Sequence, residues 1–227
     1  MYKFIVTAFF SLFTIQSLAF GLSDLSNTEA GSGLKEALTQ ASESAVSKLG
    51  VTDGFLGNPK VKIPLPDTLK KIEKGMRLFG MGQQADELTL RMNRSAEAAV
   101  PEAKALLIDA VKKMSVQDAK SILTGADDAA TQYFKKTTAA PLAEKFLPIV
   151  QKSTADLQVA QQYNNLAKTG AKFGLVNKDQ ADLDQYVTQK ALDGLYLMMA
   201  DEEKNIRKDP IGASSSLIQK VFGAIGK

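Results

Sequence analysis

From residue 34 onward, apolar side chains recur every three or four positions, and this spacing constrains the fold more than any other feature. Leu34, Leu38, Ala41, Ala45 and Leu49 form one stripe, and Leu69, Ile72, Met76 and Phe79 a second. Leu88, Met92, Ala96 and Ala99 form a third, continued beyond Pro101 by Leu106, Leu107, Ala110, Val111 and Met114. Leu183, Val187, Ala191, Leu195 and Met198 mark a long element near the end, and Leu217, Ile218, Val221, Phe222 and Ile225 a short last one. That period places each set on one face of an α-helix. The chain has no tryptophan and no cysteine, and five of its 11 phenylalanines lie in the first twenty residues. The core must therefore come from Ala, Leu, Ile, Val and Met, which are mostly strong helix formers. The expectation is an all-α, single-domain bundle of about eight helices over residues 34–227.

The start of the chain reads differently. A short basic head, Met1–Lys3, precedes an apolar run from Phe4 to Ile15, and Ser17-Leu18-Ala19 supplies small residues for a peptidase. Residues 1–19 are expected to be a cleaved secretory signal, cut after Ala19 or Gly21, and 20–33 a flexible lead-in. The apolar run is short for a membrane span. No cysteine follows it, so a lipid anchor is excluded and the expected location is secreted or periplasmic, with no transmembrane segment after cleavage.

Between the stripes lie the breaks. Gly50 is placed for a left-handed cap. Residues 51–66 carry Asp53-Gly54 and Gly57-Asn58-Pro59 turn signals, then Val61, Ile63 and Leu65 alternating with Lys62 and Pro64. The prolines exclude a central strand, so this is an extended segment packing three apolar side chains on the bundle. Asp67 can cap the next helix, ended by Gly80 and Gly82. Pro101 either kinks a helix or begins one. Ser115-Val116-Gln117-Asp118 resembles a capping box. Asp127 or Asp128 starts a helix, Pro141 and Pro148 punctuate the next, and one stops near Gly170. Asn177-Lys178-Asp179-Gln180 signals the start of the long element.

The chemistry available is narrow. Without histidine or cysteine, the usual metal sites, cysteine nucleophiles and Ser-His-Asp triads are closed to this chain. It has no phosphate-binding loop, no dinucleotide fingerprint and no calcium loop, so no cofactor or metal is expected. Its 28 basic and 25 acidic residues are interspersed, which gives no nucleic-acid footprint. Asp127-Asp128 and Glu202-Glu203 are carboxylate pairs by adjacency only, and the expectation for them is a helix start and a solvated face.

Arginine is scarce, and the stretch 91–105 holds two of the four. Arg91, Asn93, Arg94 and Glu97, with Arg77 and Asp118, form the candidate site. One reading is a pocket for an anionic group or a partner's acidic side chain, since guanidinium gives planar bidentate recognition. The other is an internal lock to neighbouring helices through Asp86, Asp118 or Glu97. Met76, Met92, Met198 and Met199 are candidate walls for an amphiphilic small molecule held between helices, or plain core. Residues 214–227 are basic and amphipathic, which suits peripheral membrane contact or docking on the core.

The succession DGFLGN, IPLP, MNRSAE followed by AVPEA, DAKSILTG, AATQYF and ALDGLYLMMADEEKNIRKDP resembles a family of exported bacterial proteins known as domain-of-unknown-function family 4197. The likeness runs from about Leu34 to Gly223. It implies a helical fold, an envelope location and no established activity, and Ser95 stands where most members would have alanine. The expected function is that of an exported, non-catalytic binding protein of the envelope, whose partner is an envelope protein or an amphiphile. The alternative is a carboxylate-dependent hydrolase acting on envelope material.

Overall fold

The structure is a computed structural model that describes residues 26–78, 80, 82–172, 174–210 and 215–225, apart from the side chains at 72, 74–76, 169, 178 and 225. The expected signal, 1–19, the first residues of the lead-in and the ends of the 214–227 segment lie outside these residues.

Nine α-helices make up the described residues: α1 (Asn27–Leu49), α2 (Asp67–Leu78), α3 (Gly82–Ala99), α4 (Ala103–Lys113), α5 (Val116–Leu123), α6 (Ala129–Thr154), α7 (Gln158–Lys172), α8 (Leu183–Lys208) and α9 (Ser216–Ile225). No strand occurs among the described residues. The all-α single bundle expected from the periodicity is the fold found. Helices α6 and α8 pack along each other at its centre, with α3 and α1 against them; α4, α5 and α9 cover α1, while α2 and α7 lie along α3. The predicted stripes fill one continuous core, with Leu34, Leu88, Met92, Leu107, Phe146, Val187 and Leu195 fully buried.

Several boundaries differ from the sequence reading, each for a local reason. Helix α1 begins at Asn27, so 27–33 is helix and not a loose lead-in. Ser26 and Glu29 form a capping box, in which Ser26 Oγ accepts the Glu29 amide and the Glu29 carboxylate accepts the Ser26 amide. Gly50 is not left-handed (φ −81°). A Cβ there would stand 2.9 Å from the Val46 carbonyl and 3.0 Å from the Pro101 ring, so close approach and not backbone handedness selects glycine. The left-handed residue of this turn is Asp53 (φ 67°).

Asp67 is the first residue of α2 and does not cap it. Its amide donates to Gln180 Oε1 (3.0 Å) while its carboxylate accepts from Gln180 Nε2 (2.9 Å). Pro101 sits in a 3-10 turn, Val100–Glu102, that passes α3 into α4. Pro141 and Pro148 end nothing, because α6 runs through both. Each proline costs one helical hydrogen bond, and Phe134, Thr138, Leu142, Phe146 and Val150 bury one residue per turn across that length. Asn177–Gln180 yields only a 3-10 turn at Lys178–Gln180. The long helix starts at Leu183, where Asp182 Oδ1 accepts the amides of Asp184 and Gln185. The Ser115–Asp118 box opens α5 as expected.

Helix α9 buries Ile218, Val221 and Phe222, and it packs on α1 and α8. Its apolar face is therefore docked on the core. No described helix is long and apolar enough to cross a membrane.

Candidate functional site

The segment 51–66 is expected to be extended throughout. Residues 51–61 instead fold as successive turns, closed by bonds such as that from the Gly54 amide to the Val51 carbonyl (3.0 Å), and only 62–66 is extended. The expected alternation holds over 61–65, with Val61, Ile63 and Leu65 buried and Lys62 and Pro64 exposed. The segment pairs with no strand among the described residues. Side chains of other elements take the place of a ladder. Asn93, fully buried on α3, accepts the Ile63 amide on Oδ1 (2.8 Å) and donates through Nδ2 to the Ile63 carbonyl (2.9 Å) and to the Thr89 carbonyl (2.8 Å). Its amide thus pairs with a single residue as a neighbouring strand would.

One turn later on α3, the 5 % exposed Glu97 accepts the amides of Phe55 (3.0 Å) and Leu56 (3.1 Å) on one oxygen. Its other oxygen accepts from Arg94 (2.6 Å), whose second nitrogen donates to Asp53 (2.8 Å). Every buried polar atom of this group has a partner, as burial demands. The Glu97 and Asp53 carboxylates hold the Arg94 guanidinium above its ordinary pKa. Tyr186 on α8 holds the far side by donating to the Pro64 carbonyl (3.1 Å). Phe55 enters the core against Gly194, where a Cβ would come within 2.7 Å of its ring.

The six residues of the candidate site therefore separate. Asn93, Arg94 and Glu97 form one lock on the 53–63 turn. Arg77 makes a second, bonding Glu73 on its own helix (2.8 Å) and joining α2 to α3 through Asp86 (2.6 Å), whose carboxyl it depresses. Arg91 pairs with Glu87 (2.7 Å) and reaches Asp156 at 3.5 Å. Asp118 belongs to α5, where its bonds to Ser115 hold its carboxyl below the usual range. Of the methionines, Met92, Met198 and Met199 are buried in the core, and Met76 lies outside the described side chains.

A second buried carboxylate was not legible in the sequence. Glu202-Glu203 reads as a solvated pair, yet the two residues point to different helices. Glu202 pairs with Lys48 on α1. Glu203, 3 % exposed, accepts the amides of Ala130 and Thr131 (both 3.0 Å) and the Thr131 hydroxyl (3.1 Å). Those amides are free donors at the start of α6, where Asp128 makes no side-chain cap. Arg207 completes the group by bonding Glu203 (2.9 Å) and the Ile122 carbonyl (2.9 Å), with its guanidinium 5.8 Å from the centre of the Phe222 ring. The one available signal was the spacing of Glu203 and Arg207, four apart on a helix.

With these groups committed to the fold, three of the grooves among the described residues flank the locked segment, and another, of about 420 Å³, lies between α1 and the end of α4. Of the three, one of about 400 Å³ runs between the segment and the α2–α3 hairpin. Leu56, Leu65 and Leu90 supply apolar lining, with Lys62, Lys70 and Arg77 among its charged groups. On the other side, two adjoining grooves of about 350 and 530 Å³ share Gln180, Tyr186, Lys190 and Asp193. Burial pushes the Tyr186 hydroxyl up to about 12.

No curated protein and no solved structure matches the chain. The family described as "Protein of unknown function (DUF4197)" matches residues 24–223, and the chain belongs to that family.

Proposed function

We propose that this is an exported, non-catalytic binding protein of the cell envelope, which holds its ligand in a surface groove beside segment 51–66. The observation that carries the reading is the bracing of that segment. Asn93, Glu97 and Tyr186 fix its backbone from two sides, so the wall that the segment gives to the grooves beside it is formed before any ligand arrives. Preorganised walls reduce the ordering cost of binding. Native mass spectrometry of the protein purified from its own cells tests this. A co-purified small molecule or protein supports it, and an empty monomer overturns it. Export is tested separately, by fractionation and by an amino terminus following Ala19 or Gly21.

The alternative, a carboxylate-dependent hydrolase, draws on Asp179 and Asp193, which line the 530 Å³ groove together. Turnover of an envelope glycan or peptide, abolished by Asp193→Asn, would replace the binding reading.

A further inference from the structure

We infer that the groove between segment 56–65 and the α2–α3 hairpin takes a single-chain anionic amphiphile, its carboxylate or phosphate head between Lys62 and Lys70 and its tail along Leu56, Leu65 and Leu90. This rests on the binding reading above and names the ligand class.

The charges argue it first. Arg77 lies in the groove but is already engaged by Glu73 (2.8 Å) and Asp86 (2.6 Å), so it closes α2 against α3 and offsets one of these two negative charges, which leaves the groove with a positive excess only through Lys62 and Lys70. Lys62 and Lys70 are exposed and, like other surface lysines such as Lys145 and Lys152, make no ion pair among the described residues; what sets these two apart is that both line one groove beside leucines. Two unpaired ammonium groups beside apolar lining are complementary to an anionic head that carries a hydrocarbon body.

The lining is split between charged and apolar groups. Its single neutral polar side chain is Thr89, whose hydroxyl already donates to the Ala85 carbonyl (3.0 Å). Leu65 is buried, Leu56 and Leu90 are half-buried, and the volume of about 400 Å³ suits a small molecule. The wall carrying Lys62 is rigid, because Glu97 holds the Leu56 amide and Asn93 holds both backbone polar groups of Ile63.

The test is titration of the purified full chain with dispersed sodium decanoate, followed by calorimetry and by amide shifts, with decanol and butyrate in parallel. Decanoate should bind at a single site, more tightly than either control, and weaken as salt is raised. The double variant Lys62→Glu/Lys70→Glu should bind about tenfold more weakly with an unchanged circular dichroism spectrum, each exposed lysine contributing a modest share through its pair with the ligand head. Lys145→Glu, an exposed substitution on α6, should have no effect. Equal binding of decanol, or indifference to the double reversal, overturns recognition of the anion. Absence of decanoate and decyl phosphate binding overturns the ligand class, while the binding reading itself stands or falls on native mass spectrometry. Flotation on anionic vesicles without uptake of dispersed decanoate would also overturn the inference, in favour of contact with a membrane surface.

Discussion

Asn93 and Glu97 lie four residues apart on α3, and between them they satisfy four backbone groups of the 53–63 turn that have no strand to pair with. Asn93→Ala would strand the amide and carbonyl of Ile63 in a closed interior. The expected loss is about 2 kcal/mol or more, read from urea unfolding, since each buried unsatisfied group costs about 1–3 kcal/mol. Arg94 is different, because it is one-third exposed and water can partly replace it. Arg94→Lys keeps the charge but cannot reach Glu97 and Asp53 together, so the melting temperature should fall. That loss should be the same with and without added ligand; a melting temperature unchanged by the substitution would revive the anion-pocket reading. The sequence exposed the scarcity of arginine and the polar side of α3. It could not show that Glu97 meets amides from a turn some forty residues away, because helical spacing describes neighbours on one element only.

At the scale of the element, the recurrent device is a helix end or loop completed by a side chain from elsewhere. Gln180 engages the first residue of α2, Asn164 accepts the Leu183 amide at the start of α8 (2.7 Å), and Glu203 caps α6. Glu203→Gln should lower stability by about 3 kcal/mol, because it leaves Arg207 charged, nearly buried and without its ion partner. A double-mutant cycle with Arg207→Met should recover part of that loss, and amide exchange should quicken at residues 130 and 131. The helices themselves were legible because burial repeats with the helical period. The ends were less so. Pro141 and Pro148 signal breaks locally, but a helix buried along its length absorbs two lost hydrogen bonds. Asn177–Gln180 signals a start locally, yet the side-chain cap that opens the long helix comes from Asp182.

For the molecule as a whole, the titrating groups define a pH window. Tyr186 is pushed up to about 12 by burial, and burial also raises Tyr196. A folded pKa above the unfolded value of about 10 means that each contribution is complete below about pH 10 and is lost as pH rises through the folded value, which for Tyr186 is about 12. Unfolding midpoints should therefore drop steeply in that alkaline window while tyrosinate absorbance rises with unfolding; a flat midpoint there would refute the burial assignment. At the acid end, Lys220 and Ser26 hold Glu29 at about 2, below its ordinary 4.5. Its contribution is present above about pH 4.5 and fades as pH falls towards about 2. Because Lys220 bonds Glu29 across α1 and α9 (2.8 Å), amide exchange in α9 should accelerate before the rest of the bundle opens.

The sequence by itself determined the class of fold, the composition of the core and the chemistries closed to this chain. Those depend on residue type and on periodicity within an element, and both are printed along the chain. It also marked the inward packing of Val61, Ile63 and Leu65, because prolines and alternation act locally, although only 62–66 is extended and 51–61 folds as successive turns. Only the tertiary structure decided that Asn93 and Glu97 hold that segment, that Glu203 is a buried cap, and that the arginines divide between separate ties. Each of those outcomes depends on which backbone groups are left unpaired once the helices are packed, and that is settled by contacts between residues far apart in the chain.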